Sequence, residues 1–147
     1  MRAFLSDDEE RAWHALVDSY ESLKRALDIR LLDEHRMPLP TLEALIEIAH
    51  AEDGSISVSE LAERIRLSPS RTSRLAMELE RDGLVARQRD AADSRSTRVT
   101  ATDAGRARLL EAAPAYLSTI RAHLFEGLSE RDVKQLARIL GRSQTPR

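Results

Sequence analysis

A chain of 147 residues with 41% hydrophobic and 33% charged residues is large enough for one domain with a real core and too apolar to stay disordered. It has a formal charge of −2 and no cysteine, which excludes a disulfide framework, a thiolate nucleophile and cysteine-ligated zinc. No apolar run approaches the ~20 residues of a membrane span, and the start "MRAFLSDDEERAW" lacks the basic and apolar segments of a signal peptide, so a cytoplasmic protein is expected.

In chain order, Trp13, Leu16, Val17, Tyr20, Leu23, Leu27 and Leu31 recur at steps of three and four, which predicts one long helix from Asp7 to Met37 with a single buried stripe. "MPLP" stops it, because proline lacks an amide donor and restricts its predecessor; Thr41 to Ala51 then reads as a short, apolar second helix. "EDGSIS" is a turn with room for one short strand pair at Ile56. Ser57 and Glu60 form a capping box for a third helix that buries Leu61, Ala62 and Ile65 and ends by Arg66.

Ser68 is placed to cap a fourth helix with Pro69 as its first residue, and Gly83 lies just past its end. Thr72, Leu75, Ala76 and Leu79 make its inward stripe; Ser70, Ser73, Arg74, Met77 and Arg81 face outward. Two such helices joined by a few residues match a helix-turn-helix, whose second helix enters the DNA major groove.

Past Gly83 the period drops to two, so "LVARQR" and "STRVTAT" read as two strands of a small β-hairpin, burying Val85 and Val99 and leaving Arg87, Arg89 and Arg98 to point elsewhere. In the polar loop between them Asp93 and Arg95 share a face, where the carboxylate can orient the guanidinium. A helix-turn-helix followed by a hairpin is a winged helix. Thr102 then caps a helix with Leu110, Ala113, Leu117, Ile120 and Leu124 inward, which Pro114 must kink or split. Ser129 opens a last helix burying Val133, Leu136, Ala137 and Leu140, with Gly141 as its stop and a disordered tail after it.

Charge is distributed unevenly over these elements. Residues 64–98 hold nine arginines against five acidic residues, a local excess of +4 that leaves −6 on the rest of the chain. A cationic face on an otherwise acidic protein is what binding to a polyanion requires. His14, His35, His50 and His123 lack the paired spacing of a metal site. No nucleophile has a neighbouring base, and there is no glycine-rich phosphate loop, so neither enzyme chemistry, a metal nor a cofactor is expected.

"SELA" from Ser59, "SRLAMELERDGLVAR" ending at Arg87 and "DSRSTRVTATDAG" from Asp93 together resemble the MarR family of bacterial transcriptional regulators. The most specific positions are Asp93, Arg95, Val99, Thr102 and Gly105; Ala101 departs from the family's usual leucine. The resemblance implies a mainly α fold, a winged helix-turn-helix lobe (41–102) flanked by N- and C-terminal dimerisation helices (7–37 and 103–141). It also implies an obligate homodimer and a small aromatic or lipophilic ligand that releases DNA. The chain is thus expected to be a double-stranded-DNA-binding regulator, a repressor, on a palindromic operator. Ser70, Arg71, Ser73, Arg74 and Met77 would lie on the recognition helix, and Arg87, Arg89, Asp93, Arg95 and Arg98 on the wing. The alternative is a winged helix used for protein contact; the Ser, Thr and Arg surface, with Met77 as its only apolar residue, speaks against it.

Overall fold

The computed structural model describes residues 4–52, 54–91, 93 and 95–143. The elements run α1 (Asp7–His35), α2 (Leu39–Ala49), β1 (Ser55–Ser57), α3 (Val58–Arg64), α4 (Pro69–Arg81), β2 (Val85–Arg89), β3 (Thr97–Ala101) and α5 (Asp103–Ile120). A π-helical turn (Arg121–Phe125) and α6 (Glu130–Ser143) follow. The chain divides into two compact units: residues 28–116, and residues 1–27 with 117–147.

The unit 28–116 carries nearly all of the buried core. α2 contributes Leu42, Ala44, Leu45 and Ile48, α3 contributes Leu61 and Ala62, and the sheet contributes Ile56, Val85 and Val99, all below 5% exposure. The antiparallel sheet has three strands in the order β1-β3-β2; the short strand expected at Ile56 is β1, and it joins the hairpin along β3. Ile56 on β1 faces Val99 on β3, and their burial makes a three-residue strand worthwhile against this core. β2 and β3 pair over their full length, with Val85 opposite Ala101 and Arg87 opposite Val99.

The two helices of the helix-turn-helix end alike. After α3 the Leu67 amide bonds the Ala62 carbonyl and the Arg66 amide that of Glu63; after α4 Leu84 bonds Leu79 and Gly83 bonds Glu80. Each is a Schellman closure around one left-handed residue, Arg66 at φ 55° and Gly83 at φ 74°. Ser57 caps α3 by accepting the Glu60 amide at 3.1 Å, but Glu60 does not reciprocate as a full capping box requires. Its carboxylate takes Arg64 Nη2 at 2.7 Å instead.

Three boundaries differ from the sequence expectation. α1 stops at His35 because Arg36 turns left-handed (φ 51°), before the prolines are reached. α2 begins at Leu39, ahead of Pro40, since the first turn of a helix needs no amide donor there. α6 continues through Gly141 to Ser143. Pro114 does not split α5, which runs unbroken from Asp103 to Ile120. The tail from residue 144 lies outside the described residues.

In the other unit α1 presents Trp13, Leu16 and Tyr20 at 56, 48 and 55% exposure. Leu117 and Ile139 are also about half exposed, and the Glu126 amide closes the π-helical turn onto the Arg121 carbonyl at 2.9 Å. Ser6 with Glu9, and Ser129 with Asp132, form reciprocal capping boxes at the starts of α1 and α6.

Candidate nucleic-acid interface

α4 owes its position to its first and last turns. Ser68 Oγ accepts the Arg71 amide at 3.4 Å, Pro69 occupies the first turn, and Thr72 Oγ1 donates to the Ser68 carbonyl at 3.1 Å. Thr72, Ala76 and Leu79 are buried and Leu75 half-buried, which turns the opposite face outward. On that face Ser70, Ser73, Arg74, Met77 and Arg81 are all exposed, as their spacing predicts, and Arg71 is exposed as well. The positive end of the helix lies beside the first of them.

At the tip of the β2–β3 wing the Asp93 carboxylate accepts the backbone amide of Arg95 at 2.9 Å. It therefore fixes the loop backbone, where orientation of the Arg95 guanidinium was expected from the sequence. The Ser96 amide donates to the Asp93 carbonyl and the Asp90 amide to the Ser96 carbonyl, both at 2.9 Å, closing the loop. Arg95 and Arg89 are exposed. Like Arg66, Arg71 and Arg74, they have guanidinium groups with no partner among the described residues.

The other four arginines of the cationic stretch are engaged within the protein. Arg64 pairs with Glu47 and Glu60, and Arg81 with Asp82. Arg87 Nη1 lies 3.5 Å from Glu80 Oε2, while Arg98 donates to Ser55 Oγ at 2.6 Å and to the Ser55 carbonyl at 2.7 Å and lies 3.7 Å from Asp90. Strand alternation explains Arg87: residues 85 and 87 share a face, so Arg87 follows Val85 toward the core instead of pointing away. The free charge is thus concentrated on the outer face of α4, the turn before it and the outer part of the wing. Arg66, absent from the sequence-based set, was hidden because nothing in "RIRLS" marks it as left-handed.

Known proteins resemble the chain in sequence and fold. The family model described as MarR family matches residues 37–96, from the end of α1 to the wing. The HTH-type transcriptional repressor YetL of Bacillus subtilis is 31% identical over 97 residues, covering 66% of this chain and 58% of that protein's length. Among solved structures, the MarR family regulator Sco3205 of Streptomyces coelicolor, in complex with DNA, superposes with a TM-score of 0.87 at 26% identity, covering 99% of this chain and 93% of that one. CouR of Rhodococcus jostii RHA1, bound to p-coumaroyl-CoA, gives 0.79 at 25% identity, covering 99% and 97%. Over the helix-turn-helix and the wing the chain is similar to proteins of the MarR family.

The MarR signature acquires physical reasons in this fold. Asp93 closes the wing tip, and Val99, fully buried, seats the middle strand. Thr102 Oγ1 accepts the Gly105 amide at 3.1 Å, capping α5 as expected, and donates to the Gly83 carbonyl at 2.7 Å, tying that cap to the end of α4. A Cβ at Gly105 would lie 2.0 Å from the Leu84 carbonyl oxygen, so no larger residue fits. Ala101, where MarR proteins usually carry leucine, is buried beside Val85.

Proposed function

We propose that this chain is a cytoplasmic, sequence-specific regulator of transcription, a repressor without a catalytic step, that binds double-stranded DNA as a homodimer. The observation that carries the reading is the coincidence of guanidinium groups that have no partner among the described residues with the exposed face of α4 and the outer wing. In this reading α4 lies in the major groove with its N-terminal end near phosphate. Arg74 grips guanine, worth roughly 1–3 kcal/mol of discrimination. Arg71, Ser70 and Ser73 reach base edges or backbone, and Met77 lines the same face. Asp93 holds the wing loop so that Arg95 enters the adjacent minor groove, with Arg89 on the backbone.

The apolar residues Trp13, Leu16 and Tyr20 supply the reason to dimerise, since a single chain leaves them in water. Dimerisation helices spanning 7–37 and 103–141 would then present two 41–102 lobes to half-sites about one helical turn apart. Within residues 28–116 a cavity of ≈ 350 Å³ opens beside the inner side of α4, lined by Arg36, Met37, Leu75, Leu79, Leu84 and Arg108 among others. A small aromatic or lipophilic acid binding there would touch the buried side of the helix that reads DNA. A preference of about 1–3 kcal/mol for a misplaced α4 is enough to empty the operator by one or two powers of ten.

Selection of bound sequences from random duplex DNA tests the reading: a palindrome is expected. Arg74→Ala and Arg95→Ala should each lose most of the affinity for it while keeping fold and dimer. Undiminished affinity in both variants would overturn the assignment.

A further inference from the structure

We propose that Arg87 and Arg98 are positioning residues, which set where the wing stands relative to α4 and the sheet and do not themselves touch nucleic acid. The inference rests on the DNA-binding reading above. Glu80, in the last turn of α4, accepts the Arg87 backbone amide through Oε1 at 3.2 Å and faces Arg87 Nη1 through Oε2 at 3.5 Å. One carboxylate therefore holds both the backbone and the side chain of β2. A carboxylate at this end of a helix meets the negative pole of the helix dipole, an unfavourable place that the Arg87 cation offsets.

The Arg87 side chain is only 24% exposed, and its Nε is buried without a hydrogen-bond partner among the described residues. Its guanidinium is turned toward Glu80 in the last turn of α4. Arg98 does the corresponding work on the other edge of the wing. It spans from β3 across to Ser55 on β1 and down to Asp90 at the foot of the loop, so the wing is bound to the sheet that α2 packs against. Both charges are already matched by a carboxylate, and a phosphate would have to displace Glu80 or Asp90 to reach them.

Counterion release separates positioning from contact. Each phosphate contact contributes close to 0.9 to the slope of log affinity against log salt. With the full chain, a duplex recovered from the random-sequence selection and a series of KCl concentrations, Arg89→Gln is expected to lower the slope by about 0.9 per protomer. Arg87→Gln and Arg98→Gln are expected to weaken binding roughly tenfold at every salt concentration and to leave the slope unchanged. Glu80→Gln keeps an acceptor for the Arg87 amide and removes a negative charge from the protein, yet is expected to weaken binding too. This variant carries the test should Arg87→Gln lose its fold by circular dichroism. A slope reduced by about 0.9 per protomer in Arg87→Gln or Arg98→Gln, or tighter binding by Glu80→Gln, overturns the inference. A wild-type chain that enriches no duplex, or binds with a flat salt response, overturns the DNA-binding reading itself and is distinguished by that result.

Discussion

Replacing Gly105 by alanine opposes two effects of known sign. Gly105 lies in the first turn of α5, and by helix propensity alone alanine there would stabilise by about 1 kcal/mol. The added Cβ, however, falls 2.0 Å from the Leu84 carbonyl oxygen, where real Cβ atoms stay beyond 3.0 Å, so α5 and the strand entry must separate by about 1 Å. That carbonyl also accepts the Thr102 amide at 3.1 Å, and Thr102 in turn caps α5 and bonds Gly83. Overpacking against backbone costs about 1–3 kcal/mol, and loosening one backbone hydrogen bond and one helix cap adds about 1 kcal/mol each. After the propensity gain, Gly105→Ala is expected to destabilise by about 2–4 kcal/mol. For a chain of this size that lowers the melting temperature by roughly 5–15 °C. Urea unfolding followed by circular dichroism reads it as a lower midpoint at unchanged slope. A midpoint equal to or above that of the wild type would mean that propensity decides and that the close approach of α5 to Leu84 is wrong.

Gly83→Ala isolates the other way a glycine is required: its Cβ would meet nothing within 4 Å, so only the left-handed backbone (φ 74°) resists, and a loss of about 1 kcal/mol is expected in the same assay. Trp13 is the only tryptophan, and it lies one helical turn from Leu16 on the exposed stripe of α1. Leu16→Asp should therefore yield a monomer by light scattering together with a red-shifted emission, and a variant that remains dimeric would place the interface elsewhere. The Asp132 pKa is lowered, first by the side-chain hydrogen bond from Ser129 and then by the Ser129 backbone amide; Glu9 is lowered in the same way by the Ser6 amide and hydroxyl. A depressed folded pKa means that the caps stabilise above the ordinary carboxylate range and are lost as pH falls through the folded values. Acid titration should accordingly fray the starts of α1 and α6, as read by amide exchange, and Asp132→Ala should remove the pH dependence at α6 alone.

The parts legible in the sequence are those whose causes lie within a few residues. Ser68 with Pro69 marks the start of α4 and Gly83 its end, so its length and outward face follow directly; Thr102 identifies the cap of α5 for the same reason. Causes that act across the fold leave no such trace. Arg98 is held by a serine 43 residues away, and Arg87 by a carboxylate across a turn, so neither spacing nor residue type distinguished them from Arg89, which has no partner among the described residues. The periodicity did contain part of the answer, since residues 85 and 87 must share a face of β2; the charge of Arg87 obscured it. The third strand was faint because three residues carry almost no pattern, and only their pairing with β3, centred on Ile56 and Val99, makes them a strand. Of the two outcomes open at Pro114, a split does not occur: the loss of one hydrogen bond does not end a helix that buries Ala112 and Ala115 on either side of it. The same logic separates the two kinds of arginine in the wing. A guanidinium in the protein's own network sets geometry, and one left without a partner is available to a polyanion. The net charge of the segment therefore understates how selectively its positive groups are placed.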